Sequence, residues 1–126
     1  MSSKEELKAV LNTIADKIGS GTTVIFMNPD GLPILCVPES PFPNELSRVI
    51  GGFLGEAISN IRNFLEFGNL GKYEELTIRT SNYIITAYLM RNGILLLLMP
   101  QKTANIGLAR LVVLPLLHKI NSMVKP

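Results

Sequence analysis

The sequence has very few of the residues that build metal sites and disulfide frameworks. Its 126 residues include one cysteine and one histidine, which excludes a disulfide scaffold and a zinc site made of these residues. Charged residues make up only 17% of the chain, against about 25% in an average soluble domain. The 12 basic residues barely exceed the 10 acidic ones, and no three of them are consecutive. The sequence therefore shows neither a nucleic-acid-binding stripe nor a polybasic membrane tag.

Long apolar runs are also missing. The longest one, residues 94–99, is far shorter than the roughly 20 residues of a membrane-spanning helix. The first residues are polar and acidic, and no apolar stretch follows them, so we expect no signal peptide. These features predict a cytoplasmic protein without direct membrane insertion.

Hydrophobic residues, by contrast, are abundant at 47%, and the mean hydropathy is +0.30. A chain of this length is expected to form one domain and to bury a core without cross-links. Because it has so few charges, its polar surface is too small to cover its exterior, and another chain is expected to cover part of it. We therefore predict a single domain over residues 1–126 that works as an oligomer.

The hydrophobic pattern predicts three helices and five strands. In chain order these are a helix at 3–18, strands at 22–27 and 32–37, a helix at 44–67, strands at 74–80, 83–90 and 94–99, and a helix at 104–124. Tight turns join the last three strands into a meander, and Pro33 places the second strand at a sheet edge because it lacks an N–H donor. Pairing the all-apolar first and fifth strands gives an antiparallel sheet of order 2-1-5-4-3. With helices on both faces, this is an α+β sandwich of order α-β-β-α-β-β-β-α.

Cys36 and His118 are the only candidates for nucleophilic catalysis. A Cys–His pair can carry acyl transfer when a third group orients it. Cys36, however, lies between two apolar residues without the electropositive surroundings that activate a thiol, and His118 lies in mid-helix among leucines. We assign no catalytic, metal-binding or cofactor-binding residue, and an enzyme that uses Cys36 is the weakest alternative.

Three glycines interrupt the long second helix. Each costs about 0.8–1 kcal/mol relative to alanine, so a compensating role is expected. At about 100° per residue, the apolar residues of this helix occupy one side and the glycines the opposite one. We predict that this outward face binds a partner and that Gly55 accepts a long side chain there. The alternative is that the helix merely tolerates its three glycines. The predicted face consists of Arg48, Gly51, Gly52, Gly55, Ser59 and Arg62.

The last helix has apolar residues on two sides. Opposite its core stripe lie Leu108, Leu111 and Val112, which we expect the first helix to cover. A second partner surface is the alternative. Pro115 removes a backbone donor inside this helix and is expected to bend it.

Three segments together resemble the roadblock/dynein light chain family over nearly the whole chain. They are the strand–turn–strand at 22–35 with its Gly31-Leu-Pro-Ile34 sequence, the long helix followed by a three-strand meander, and Asn105-Ile-Gly-Leu-Ala-Arg110 at the start of the last helix. The resemblance implies the same sandwich, without catalytic residues or a cofactor.

The resemblance also implies a function. Roadblock proteins form homodimers, or heterodimers with another roadblock-type subunit, and they bind and regulate Ras-like small GTPases or serve as scaffolds. Similar single-domain proteins in prokaryotes often accompany a polarity or motility GTPase. In such dimers the third strands pair edge to edge and the second helices lie side by side. The implied dimer edge here is Glu75, Leu76, Thr77, Ile78 and Arg79.

A small-ligand sensor of the profilin- or PAS-like type is the main alternative. It requires a cavity in which several polar groups converge. The sequence indicates none, because its strands are apolar and its polar residues are dispersed.

Overall fold

In the computed structural model the described residues are 3–19, 21–39 and 44–124, with the backbone alone for 44–51. The helices and strands alternate as the hydrophobic pattern predicts. They are α1 (Ser3–Ile18), β1 (Thr23–Met27), β2 (Pro33–Val37), α2 (Asn44–Phe67), β3 (Glu75–Arg79), β4 (Tyr83–Met90), β5 (Gly93–Pro100) and α3 (Ile106–Met123).

The five strands form one antiparallel sheet in the order β2-β1-β5-β4-β3. The predicted order of elements and of strands is confirmed. Strand β2, which begins with Pro33, lies at one edge of the sheet, and β3 lies at the other. All five residues of β1 are buried, as are most of β5, because these central strands are covered on both faces.

Side chains on the two faces of the sheet build two separate hydrophobic clusters. Helices α1 and α3 cover one face, where Leu11, Phe26 and Val113 are buried. Helix α2 covers the other face, where Ile58 packs against Ile25 and neighbouring residues of the central strands. The protein is therefore a three-layer α+β sandwich, with one helix on one face and two on the other.

Helix α3 is buried along Ala109, Val113 and Ile120, and it continues through Pro115 without a break. The expectation that α1 covers its second apolar side is wrong for Leu111, which is 76% exposed. Only Val112 packs against the α1-side core. The reason is that α1 lies beside α3 on the sheet and does not extend over its outer surface.

By length and composition alone, α3 is also apolar enough to cross a membrane. Within the described ranges it is the one helix with this property. The core helices of soluble proteins have the same length and composition, so this property alone does not indicate a membrane span. Its buried stripe lies on the sheet.

Candidate functional site

The turn between β1 and β2 is organised around Asn28, through both its side chain and its backbone. The Asn28 Oδ1 atom accepts hydrogen bonds from the backbone N–H groups of Asp30 and Leu32, both at 2.9 Å. Gly31 has a φ of 90° and donates its N–H to the Asn28 carbonyl, a conformation that glycine adopts without strain. This turn presents the carbonyl of Asp30 to α2.

Gly55 lies directly against that turn. A Cβ atom added to Gly55 would sit 2.6 Å from the Asp30 carbonyl oxygen, well inside van der Waals contact. The prediction that Gly55 faces outward and accepts a long side chain is therefore wrong. Compared with the predicted orientation, the helix is rotated about its axis, so that Ile58, 2% exposed, is the residue buried in the sheet contact. This rotation directs Gly55 toward the β1–β2 turn.

Three other residues of the predicted partner face are solvent-exposed. Gly52 has open space around it, and Ser59 and Arg62 are also exposed. Burial raises the pKa of Tyr73, while the charge of nearby Arg62 lowers it. Arg48 and Gly51 are described by their backbone alone, so their predicted roles lie outside what the structure describes. The partner-binding role of the whole face stays a prediction.

Helix α2 has an exposed apolar flank, which we call the phenylalanine flank and define as Phe53, Ala57, Phe64 and Phe67. Its three phenylalanines are 70%, 64% and 96% exposed. Phe53, Ala57 and Phe64 belong to the apolar side predicted for this helix, but they are exposed and do not pack on the sheet. The apolar arc of α2 is wider than the sheet can cover, so one flank lies beyond the contact made by Ile58.

The β3 edge is the second unpartnered feature. Leu89 donates its N–H to the Glu74 carbonyl, and Thr80 donates to the Tyr83 carbonyl. Backbone groups alternate in direction along an antiparallel strand, so even-numbered residues of β3 bond to β4 and odd-numbered ones face outward. The outward donors and acceptors belong to residues 75, 77 and 79, at the edge predicted for dimerisation.

Apolar side chains continue along this edge on the α2 face of the sheet. Ile78 is paired with Ile85, which packs in the α2-side cluster, and Tyr83 shares that face because side chains alternate along a strand. Both Ile78 and Tyr83 are 42% exposed. The exposed apolar surface of the chain therefore includes the α2 face of the outer strands as well as the phenylalanine flank.

The structure does not bring Cys36 and His118 together. Cys36 packs in the α2-side cluster, and its thiol donates a hydrogen bond to the Pro38 carbonyl at 3.3 Å. His118 lies on α3, which covers the opposite face. Over the described part of the chain, no three His, Cys, Asp or Glu side chains are grouped so as to hold a metal ion.

Sequence reasoning missed a cleft between α3 and the strands β3 and β4. It has a volume of about 500 Å³, and its walls include Tyr88, Glu75, Arg110, His118 and Leu114. Arg110 donates from Nε to Glu75 Oε1 at 3.2 Å and from Nη2 to Oε2. The residues that meet here come from three separate elements, so no local sequence pattern could have indicated the cleft.

Comparisons with known proteins identify the fold. No family model matches the chain, and no curated protein matches it. Among solved structures, an MglB in a tetrameric arrangement has a TM-score of 0.82 at 11% identity and covers 98% of this chain and 91% of its own. MglB from Myxococcus xanthus has a TM-score of 0.81 at 9% identity, with 94% of both chains covered. A roadblock/LC7 domain from Streptomyces avermitilis has a TM-score of 0.76 at 12% identity, with 90% and 93% covered.

The alternative architecture is also represented, at a lower similarity. Profilin IA from Acanthamoeba castellanii has a TM-score of 0.58 at 14% identity and covers 90% of this chain and 95% of its own. The MglB and roadblock structures superpose more closely, at 0.76 to 0.82. The chain thus has the roadblock/LC7 fold, as the sequence resemblance predicts.

Proposed function

We propose that this chain is a non-catalytic dimeric scaffold that binds a Ras-like small GTPase and modulates its nucleotide state or its localisation. The observation that carries the proposal is the roadblock fold, matched over almost the full length of the MglB chains. The sequence also resembles the roadblock family, and that resemblance implies the same GTPase-binding role. The MglB neighbours suggest a regulator of this type, and the finer assignment rests on the exposed surfaces of the chain itself.

The β3 edge and the phenylalanine flank support a dimer. An open strand edge with free backbone donors and acceptors is a template for pairing with another chain. Fully burying a phenylalanine contributes about 1.5–3 kcal/mol, and each subunit would bring three of them. One MglB neighbour has a tetrameric arrangement, which is consistent with self-association of this fold. The partner is a second copy or another roadblock-type subunit.

The side chains of β3 favour one strand register for a homodimer. We infer that Thr77 lies opposite its own copy on the two-fold axis, because Glu75 then faces Arg79 of the partner subunit. The same register pairs Leu76 with Ile78 of the partner subunit on the α2 face. Moving the axis to Leu76 or Ile78 would set Glu75 opposite threonine or serine, and both charge pairs would be lost. Opposite charges across paired strands are stabilising.

The outward face of α2 supplies the proposed GTPase contact. Gly52 has open space above its backbone, so a partner loop can approach the helix closely. Ser59 and Arg62 are exposed further along the same helix, and an arginine binds carboxylates in a fixed fork geometry. In a two-fold dimer this face occurs twice, and one GTPase lying across the axis would contact both copies. The expected complex therefore contains two copies of this chain and one GTPase.

We also propose that the chain has no nucleotide-hydrolysing activity of its own, binds no cofactor and acts in the cytoplasm. The separation of Cys36 and His118 by the sheet supports the first point. Any effect on hydrolysis would then come from ordering the GTPase or from an arginine supplied by this chain.

Binding to the Ras-like GTPases of the source genome tests the proposal. Each GTPase is purified in its GDP form and with a non-hydrolysable GTP analogue, and the Kd is measured by calorimetry. We expect at least one GTPase to bind and Gly52→Arg to weaken that binding at least tenfold, since the new side chain fills the contact.

Asn12→Arg is the matched control, because Asn12 is exposed on α1 on the opposite layer. It adds the same charge to the protein away from the proposed contact and is expected to leave the Kd unchanged. Equal weakening by both variants would point to a general charge effect and would contradict the assignment to α2.

A further inference from the structure

The hydroxyl of Tyr88 is a buried polar atom without a hydrogen-bond partner, and it is the only such side-chain atom in the ranges the structure describes. Tyr88 is 1% exposed. Leaving a donor buried and unpaired carries the desolvation cost of that group. Such groups are few in native proteins, and each requires an explanation.

Tyr88 lines the cleft between α3 and β4. Tyr88 is the cross-strand partner of Glu75, and the charges of Glu75 and Arg110 both act on its phenol. Met90, Leu114 and Leu117 contribute apolar wall. The cleft thus combines a polar floor with an apolar side, and its volume of about 500 Å³ is within the roughly 300–1,000 Å³ of ligand sites.

Two groups at the polar end of the cleft keep hydrogen-bond donors unused, the Tyr88 hydroxyl and the Arg110 guanidinium. Burial raises the pKa of Tyr88 to about 12, with Glu75 adding to the rise and Arg110 opposing it, so the hydroxyl keeps its proton at neutral pH. A guanidinium carries five N–H donors, and the Glu75 pair engages two of those on Arg110. Both Glu75 oxygens already accept one of these bonds. A ligand that completes this arrangement must therefore bring acceptor oxygens.

We propose that this cleft binds a small organic carboxylate, with an oxygen accepting from the Tyr88 hydroxyl and from a free N–H of Arg110. Charged acceptors form the stronger hydrogen bonds to arginine, and a carboxylate matches its planar fork. The apolar part of the ligand lies against Leu114 and Leu117 on α3. This site is on the α3 face of the sheet, so it is separate from the proposed GTPase contact on α2 and does not depend on it.

The test uses sodium hexanoate as the probe, with the full chain labelled at its tyrosine rings and methionine methyl groups for NMR. We expect the Tyr88 and Met90 signals to shift saturably in the millimolar range while the Tyr83 signal does not move. Hexylammonium, which has the same number of carbon atoms but a donor-only head, is expected to cause no shift at these two residues.

Two variants connect the binding to the hydroxyl. Tyr88→Phe is expected to weaken hexanoate binding at least fivefold, followed at the Met90 methyl. Tyr83→Phe, which removes an exposed hydroxyl on the other face, is expected to leave the Kd unchanged. The proposal is overturned if hexanoate causes no saturable shift at Tyr88 and Met90, if hexylammonium binds equally well, or if Tyr88→Phe binds with the wild-type Kd.

Discussion

At the scale of single residues, Gly52 and Gly55 have opposite surroundings although they belong to the same helix. Open space surrounds Gly52, whereas the Asp30 carbonyl lies where a Cβ of Gly55 would be. Packing between α2 and the β1–β2 turn therefore accounts for Gly55 without any partner. Gly52 has no such contact with the residues that the structure describes, so its cost to the helix is better explained by an external contact.

Gly55→Arg should destabilise the protein by about 1–3 kcal/mol, because overpacking forces the backbone to shift. Gly52→Arg should stabilise it by about 0.5–1 kcal/mol, since arginine has the higher helix propensity and meets nothing. Urea unfolding followed by circular dichroism measures both free energies. Wild-type stability of Gly55→Arg would mean that the turn does not press on α2 in solution.

Tyr88→Phe should raise the free energy of unfolding by about 1 kcal/mol at neutral pH, because it removes a buried donor without a partner. Its effect should also depend on alkaline pH. The pKa of this tyrosine is 10.0 in the unfolded chain and about 12 in the folded protein. Between these values the unfolded chain loses a proton that the folded chain keeps, so stability falls as pH rises, by at most about 1.4 kcal/mol per pH unit.

The phenylalanine variant lacks this titration. Between pH 9 and pH 11 the unfolding midpoint should therefore fall less for Tyr88→Phe than for the wild type. The other tyrosines contribute equally to both proteins. Parallel loss of stability in the two proteins would contradict the buried position of the hydroxyl.

At the scale of whole elements, β3 is the strand that joins the two subunits in the proposed dimer. Thr77→Pro removes an outward-facing N–H, whereas the bonds of β3 to β4 come from its even-numbered residues. We expect this variant to dissociate the dimer at concentrations where the wild type is dimeric, raising the dimer Kd by at least tenfold in analytical ultracentrifugation. Proline removes a ladder donor that no side chain replaces.

Thr77→Val is the matched control for that variant. It keeps the backbone donor but loses the Oγ1 contact of 3.3 Å with Thr86, and it should remain dimeric.

Thr77→Cys checks the register, because directly opposed residues in a hydrogen-bonded pair have Cα atoms about 5.5 Å apart, within the range of a disulfide. A cross-link at this position but not in Arg79→Cys is expected. The reverse would contradict the axis at Thr77.

The strand order was predictable from the sequence because few residues determine it. Pro33 excludes β2 from the interior of the sheet, and the tight turns around β4 leave one arrangement of the meander. The rotation of α2 was not predictable in the same way. A periodicity of 3.6 residues groups Phe53 with Ile58 on one apolar side, but it does not say which part of that arc the sheet covers.

Two features of the candidate sites had no sequence signal at all. Gly55 is constrained by a backbone carbonyl from a distant turn, and a backbone carbonyl has no residue type to reveal it. The cleft at Tyr88 depends on how α3 is placed over β4, which side-chain alternation along β4 does not specify. The phenylalanine flank, by contrast, had a signal in the three phenylalanines of α2, which together with its aliphatic residues exceed what one sheet face can bury.

At the scale of the whole molecule, the two faces of the sheet have different proposed tasks. The face under α2 carries the exposed apolar surface, the open β3 edge and the proposed GTPase contact. The face under α1 and α3 carries the larger core and the cleft at Tyr88. A dimer that joins two β3 edges would form one continuous sheet. The cleft of each subunit would then lie next to the junction, since Glu75 belongs both to β3 and to the wall of the cleft.

The mass of the complex, measured by size-exclusion chromatography with light scattering, tests the central claim most directly. The free protein at concentrations on the order of 10 µM, well above the Kd of a specific dimer, should have twice the mass of one chain. When the GTPase is added in whichever nucleotide form binds this chain more tightly, the mass should increase by one GTPase per dimer. A monomeric free protein, or a complex with one GTPase for each chain, would contradict a dimeric scaffold that holds one GTPase across its two α2 helices.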